Sequence, residues 1–251
     1  MTLFDATFFS LAVPAVVFAG ISKGGFGSGA AFAATPILAL VVEPAVALGV
    51  MLPLLMLVDV ATLRPFWGRW DWAASRPVIL GGVPGVALGA ALYTVAPADF
   101  FRFLIGVLAL GFVGFQLAAQ VRLLRPRGQP FPPAGGVLAG VVAGFASFVS
   151  HAGGPPVAVY LLAQGMGKTT YQASTVLIFW AINLMKALPY GILGVFTWET
   201  LVADVLLAPA ALLGAWLGVR AHWLVPDHIF FALTYVLLSL SGGKLIWDAL
   251  T

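Results

Sequence analysis

Hydrophobic residues run along this chain in long blocks, and short polar stretches separate the blocks. Six blocks are long and apolar enough for membrane helices: residues 45–63, 76–96, 99–121, 172–190, 199–219 and 228–247. A helix needs about 20 mostly apolar residues to cross the roughly 30 Å hydrocarbon core of a bilayer. The pattern therefore predicts an all-α protein that crosses a membrane several times.

Two further apolar regions, residues 3–42 and 135–164, are interrupted. The first is broken by GISKGGFGSG at residues 20–29, and the second by SHAGGPP at residues 150–156. Short apolar pieces around Gly or Pro breaks indicate discontinuous or re-entrant helices. Because proline suits the first turn of a helix, we expect Pro155 or Pro156 to begin a half-helix after the second break.

Composition supports a membrane protein and excludes several other classes. The chain is 61% apolar and 8% charged, with a mean hydropathy of +1.05, so it has too few polar side chains to cover a soluble globule. It has no cysteine, which excludes disulfides and thiolate metal sites. The sequence shows no nucleic-acid signature, catalytic motif or cofactor motif, and residues 1–19 lack the basic start of a signal peptide.

The two halves of the chain resemble each other. A shift of 124 residues aligns Asp59 with Asn183 and Pro65 with Pro189. We interpret these matches as a duplication. The sequence thus predicts a first repeat at residues 1–121, a basic, Pro-rich cytoplasmic linker at 122–134 and a second repeat at 135–251, all within one membrane domain.

The placement of basic residues indicates that the two repeats face opposite ways. Arginines crowd residues 64–76, whereas the matching loop of the second half, residues 191–199, has no Lys or Arg; Arg220 has no basic counterpart near Pro97. Under the positive-inside rule, residues 64–76, the linker, Lys168 and Arg220 are cytoplasmic. The predicted fold is two inverted-topology repeats of about four to five segments each, the first segment of each broken or re-entrant at its Gly-rich motif.

The two breaks are the candidate substrate site. Helix ends expose unpaired backbone N–H groups that attract anions, and glycine lets a ligand approach the backbone closely. Hydroxyls, one lysine and one histidine accompany these glycines, and Asn183 aligns with Asp59 of the first half. The predicted anion-binding residues are Ser22, Lys23, Gly24, Gly25, Gly27, Ser28, Gly29, Ser147, Ser150, His151, Gly153, Gly154 and Asn183.

Three residues are candidates for ion coupling or gating: His151, Asp59 and Lys186. A histidine changes charge near neutral pH and can carry a proton. Each candidate also has a structural reading: His151 could bond a freed carbonyl, Asp59 could pair with Arg64, and Lys186 could extend to the membrane surface. Lys23 could likewise be an ordinary lysine in a cytoplasmic loop.

The chain resembles the sulfite exporter TauE/SafE family of membrane transporters. The resemblance rests on the Gly-rich signature at residues 20–29, its weaker copy at residues 144–156, and the duplicated four-segment halves. The second copy departs from the family in having fewer glycines, Ser150 to Pro155 reading SHAGGP.

The resemblance implies a multi-pass protein of the cytoplasmic membrane that exports sulfite, a sulfonate or a related sulfur-containing anion, driven by an ion gradient. A passive small-anion channel and a non-transporting subunit of a larger complex stay open as alternatives. The sequence also leaves open whether protons or another ion are coupled, and whether the protein is a homodimer.

Overall fold

The computed structural model describes residues 5–26, 31–120, 130–224 and 227–251, and it is all-helical there. A short 3-10 helix, Ala31–Ala33, precedes α2. The α-helices are α1 (Ala6–Gly25), α2 (Ala34–Ala39), α3 (Pro44–Leu63), α4 (Trp72–Tyr93), α5 (Ala98–Gln120), α6 (Pro133–Ser150), α7 (Gly154–Ala163), α8 (Lys168–Ile192), α9 (Trp198–Leu224) and α10 (Asp227–Leu250).

Seven helices in the described part of the chain are long and apolar enough to cross a membrane: α1, α3, α4, α5, α6, α8 and α9. Large apolar side chains face outward along these helices, as they do where the solvent is lipid. Trp67, Trp72 and Trp198 are more than half exposed at or near helix starts, where an interfacial belt is expected. The prediction of a polytopic α-helical membrane protein is confirmed.

The first broken segment differs from the prediction. Residues 20–25 continue α1, and the helix ends only at Gly25, with Phe26 as its cap. Glycine is a poor helix former, but here close packing on a neighbouring helix compensates. Gly27, Ser28 and Gly29 lie outside the described residues, as do residues 121–129 of the predicted linker region.

The second broken segment agrees with the prediction. Helix α6 ends at Ser150, and His151 adopts a left-handed conformation with φ 57°. Helix α7 then begins at Gly154, with proline in its first turn. Because Pro155 and Pro156 have no N–H group, the start of α7 offers fewer amide donors than the expected amide-lined break.

The helices pair across the two halves of the chain. The first helix of one half packs on the fourth helix of the other: α1 lies against α9, and α6 lies against α4. Glycines allow both approaches, since a Cβ on Gly20 would stand 2.8 Å from Ala215 N, and one on Gly144 would stand 2.5 Å from Gly82 O. Helix α3 contacts α8 and α9, and α5 pairs with α10.

Candidate functional site

A buried cluster of polar side chains lies where α1, α3, α6 and α8 meet. Lys23 is 4% exposed, and Asp59 and Lys186 are fully buried. Ionisable side chains are costly inside a membrane and are usually retained there for function. We call this group, which Ser147, His151 and Asn183 complete, the polar centre.

The first half of the polar centre is an ion pair. Lys23 Nζ of α1 lies 2.5 Å from Asp59 Oδ1 of α3. The other carboxylate oxygen, Asp59 Oδ2, accepts a hydrogen bond of 2.7 Å from Asn183 Nδ2 of α8. Asp59 is therefore held by donors on two different helices, one from each half of the chain.

The second half of the polar centre surrounds Lys186 of α8. Its Nζ donates to Ser147 O at 3.0 Å and to Ser147 Oγ at 2.9 Å. The third contact is with His151 Nδ1 at 2.7 Å. An ammonium has three N–H donors, and all three are used here by uncharged acceptors. Within the described part of the chain, Lys186 thus has no carboxylate among its hydrogen-bond partners.

The contacts of His151 indicate which ring nitrogen carries the proton when the side chain is neutral. Its Nε2 lies 3.4 Å from the carbonyl oxygen of Leu48 in α3, which can only accept a hydrogen bond. The proton therefore belongs on Nε2, and Nδ1 accepts from Lys186. The backbone N–H of His151 also donates to Ser147 O at 2.9 Å, which closes the end of α6. His151 thus contacts a backbone carbonyl of α3, not the freed carbonyl at the break that its structural reading expected, and it also contacts Lys186.

Side chains from distant helices satisfy the carbonyls at the ends of α1 and α6. Gln172 Nε2 donates to Lys23 O at 2.7 Å, and His222 Nδ1 lies 2.6 Å from Gly25 O. Tyr190 OH donates to Phe148 O in α6. Helix ends leave carbonyls without intrahelical donors, so these contacts fix where each broken helix ends. The C-terminal end of α1 also favours the positive charge of Lys23.

Sequence reasoning missed Gln172, Tyr190 and His222 as part of this arrangement. A signal for the first was present, because a glutamine at the start of the apolar block 172–190 needs a partner if it is buried. Tyr190 follows Pro189 in the alignment of the two halves, at the position that Phe66 occupies in the first half.

The predicted site residues divide into three groups. The polar centre brings together Lys23, Asp59, Ser147, His151, Asn183 and Lys186. A second group is buried at helix contacts or within helices: Ser22, Gly24, Gly25, Ser150, Gly153 and Gly154. The third group, Gly27, Ser28 and Gly29, lies outside the described residues.

Three alternative readings of the sequence differ from the observed contacts. Lys23 is not in a loop but in the last turn of α1, and its partner is Asp59. Asp59 therefore pairs with Lys23 and not, as its structural reading expected, with Arg64. Lys186 does not extend to the surface, since its side chain is fully buried. A role of any of these residues in anion binding stays a prediction.

The polar centre holds two lysines and one carboxylate. When Lys23, Lys186 and Asp59 are all ionised and His151 is neutral, two positive charges face one negative charge. An excess positive charge in a low-dielectric interior favours a bound anion. Within the described residues, no group of three or more His, Asp or Glu side chains could hold a metal ion.

The fold and this site define a polytopic α-helical membrane protein with a buried cationic centre between its helices. The chain belongs to the sulfite exporter TauE/SafE family, whose sequence profile matches residues 12–245. The expected family is confirmed over nearly the whole chain, and the protein is a membrane transporter rather than an enzyme. No curated protein and no solved structure matches the chain.

Proposed function

We propose that the protein is a secondary transporter that exports a small sulfur-containing anion, such as sulfite or a sulfonate, and binds it at the polar centre. The excess positive charge beside Lys186 carries the proposal, because it gives a buried binding site for one negative charge. Membership of a sulfite exporter family supports the chemical class of the anion.

Lys186 is the residue we expect to contact the anion. Its three present partners are uncharged, so an anion that displaces one of them replaces a hydrogen bond to a neutral acceptor by one between opposite charges. Lys23 is less available, because Asp59 already neutralises it. Ser147 Oγ lies 2.9 Å from Lys186 Nζ, so its hydroxyl is placed to donate a further hydrogen bond to the anion.

The helix pairs support two inverted repeats that work by alternating access. Under the 124-residue shift, α1 corresponds to α6, and α4 corresponds approximately to α9. The repeat relation therefore maps the α1–α9 pair onto the α4–α6 pair. Asp59 contacts Asn183, which lies 124 residues later and is therefore the residue that corresponds to Asp59 in the second half. In a twofold arrangement, a residue that touches its own counterpart lies on the axis. The polar centre would then lie at the axis, where rocking of the repeats exposes a site to either side.

The orientation in the cytoplasmic membrane follows from the charged ends of the helices. His222 contacts Gly25 and Lys168, so the end of α1, the start of α8 and the end of α9 share one side. Arg64, Arg69 and Arg76 surround the α3–α4 turn, whose Phe66 ring lies against His222. By the positive-inside rule this side is cytoplasmic. Export from the cytoplasm would then begin on the side where α1 ends.

Flux in proteoliposomes tests the proposal against its two alternatives. We expect uptake of radiolabelled sulfite to saturate with concentration and to respond to an imposed ion gradient. Flux that rises linearly and ignores the gradient would indicate a channel, and the absence of flux of any tested sulfur anion would favour a non-transporting subunit.

Replacing a buried and an exposed lysine by methionine links that flux to the site. Lys186→Met removes the excess charge and should abolish saturable uptake. Lys244→Met is the matched control, because Lys244 is 58% exposed and pairs only with Asp248 within its own helix. Full uptake by folded Lys186→Met would place the anion site elsewhere.

A further inference from the structure

A second buried acid lies outside the polar centre. Asp204, in the second turn of α9, is 7% exposed. Neither of its carboxyl oxygens has a hydrogen-bond partner among the described residues, and no ion pair involves it there. A buried ionised carboxylate without a partner is strongly unfavourable, whereas a protonated carboxyl carries no charge.

The helices packed against α9 supply no base for Asp204. Helix α1 carries Lys23, which pairs with Asp59 of α3, and its cap Asp5 accepts a hydrogen bond from a backbone N–H of its own helix. The remaining acid of this region, Glu43 at the start of α3, pairs with an arginine of α5. Each of these charged groups thus contacts a partner other than Asp204.

Lys23 is also far from Asp204 along the membrane normal. Gly214 of α9 packs beside Val17 and Gly20 of α1, and higher residue numbers on α1 meet higher numbers on α9. Asp204, ten residues before Gly214, is therefore level with about residues 7–10 of α1. From residue 10 to Lys23 the helix rises by roughly 20 Å. Asp204 lies toward the end of the bundle opposite the cytoplasmic arginines.

A backbone carbonyl that lacks its helical donor lies near the height of Asp204 in the bundle. Pro53 lies within α3 and has no N–H, so the carbonyl of Gly49, four residues earlier, lacks its usual helical donor. Gly49 faces the segment before α9 and the first turn of α9, since a Cβ there would stand 2.5 Å from Val195 O and 3.3 Å from Thr200 Cγ2. Asp204 follows Thr200 by one turn on the same face of α9. A protonated Asp204 can donate to such a carbonyl, and an ionised one cannot.

We propose that Asp204 is a proton-binding site that couples proton movement to anion transport. The step is the reversible binding of one proton, in which the carboxylate gains a proton and loses its charge. The carboxyl is neutral while buried and releases the proton when movement of α9 opens it to water. The coupling rests on the proposed transport function, but proton binding by Asp204 does not.

Packing of α1 on α9 explains how the two sites communicate. A Cβ on Gly24 would stand 2.7 Å from Ala215 O, so the two backbones touch and a shift of α9 would be transmitted to α1. The exposure of Asp204 on α9 and of Lys23 on α1 to water would then change at the same time. For export driven by an inward proton gradient, binding of an anion at one site and of a proton at the other would disfavour each other, which is the negative coupling that proton–anion exchange requires.

Chemical labelling of the purified protein tests proton binding without any substrate. Dicyclohexylcarbodiimide reacts with protonated carboxyls in apolar surroundings, and mass spectrometry of peptides locates the adduct. We expect Asp204 to be labelled, with labelling that falls as the pH rises between about 5 and 9. Asp59 should stay unlabelled because it is paired with Lys23. Absence of an adduct on Asp204 throughout this range would overturn the proposal.

Transport by Asp204 variants tests the coupling. For one proton per monovalent anion, a gradient of one pH unit drives about tenfold accumulation. We expect Asp204→Asn to lose this accumulation and Asp204→Glu to retain part of it. Asp99→Asn is the matched control, because Asp99 is exposed at the start of α5 and should leave accumulation unchanged.

The outcomes separate the two proposals. Tenfold accumulation by folded Asp204→Asn would overturn the coupling role even if the carboxyl is labelled. Labelling of Asp204 that titrates with pH, in a protein that moves no sulfur anion, would refute the proposed substrate and support proton binding. Size-exclusion profiles of the variants identify any loss of fold.

Discussion

Replacing Asp59 by asparagine tests the charge balance of the polar centre. The change keeps the shape of the side chain but removes the negative charge that Lys23 Nζ meets at 2.5 Å. At this separation and an effective dielectric constant near 20, the attraction is about 7 kcal/mol before desolvation is counted. Breaking a buried pair by removing one partner typically costs about 3–5 kcal/mol. We expect Asp59→Asn to lower the free energy of unfolding by an amount in that range.

The same change should make the protein depend on a bound anion. Asp59→Asn leaves two buried lysines with no counter-charge, so an anion that binds between them restores part of the lost stability. The double variant Lys23→Met with Asp59→Asn removes both members of the pair. We expect it to be more stable than Asp59→Asn alone, because no uncompensated charge from this pair remains.

Unfolding of the detergent-solubilised protein by increasing sodium dodecyl sulfate measures these free energies. Asp248→Asn serves as the control, since its pair with Lys244 is exposed and should be worth about 0–1 kcal/mol. An unfolding free energy of Asp59→Asn within about 0.5 kcal/mol of the unmodified protein, the range of an ordinary surface change, would refute the ion pair as a structural element.

The glycine contacts give two further predictions that share one control. Gly24→Ala places a Cβ 2.7 Å from Ala215 O and should destabilise the α1–α9 pair by about 1–3 kcal/mol, measured by the same unfolding assay. Gly144→Ala places a Cβ 2.5 Å from Gly82 O and should do the same for α4–α6. Gly111→Ala meets nothing within 4 Å and should be neutral or stabilising, so equal effects of all three changes would contradict the packing described here.

Much of the fold was predictable from the sequence because the membrane imposes strong rules. Apolar length and Gly or Pro breaks predicted the spans and the start of α7 after residues 150–153. The first break was harder, since Gly20 and Gly24 are poor helix formers in isolation yet remain helical beside α9. Only the neighbouring helix, distant in sequence, shows that these glycines serve packing.

The candidate site was predictable in its members but not in its pairs. The alignment of Asp59 with Asn183 drew attention to both residues, and the structure joins them by a hydrogen bond. The pairing of Lys23 with Asp59 could not be read from the chain, because it depends on how α1 meets α3. Asp204 was visible as an acid within a span, but its burial and lack of a partner are properties of the packed bundle.

Thermal unfolding of the purified protein with different anions tests the central claim most directly. Sulfite, thiosulfate and short sulfonates would be compared with sulfate and chloride, for the unmodified protein and for Lys186→Met. A ligand at 100 times its dissociation constant stabilises the folded state by about 2.7 kcal/mol. Lys186→Met is a suitable variant because the hydrogen-bond partners of Lys186 are neutral, so the change leaves no unpaired buried charge behind.

We predict that one sulfur-containing anion raises the unfolding temperature selectively and that Lys186→Met abolishes the shift while remaining folded. An equal shift in both proteins would contradict the binding of the anion at the polar centre. The absence of a shift with every sulfur anion would contradict the proposed substrate class.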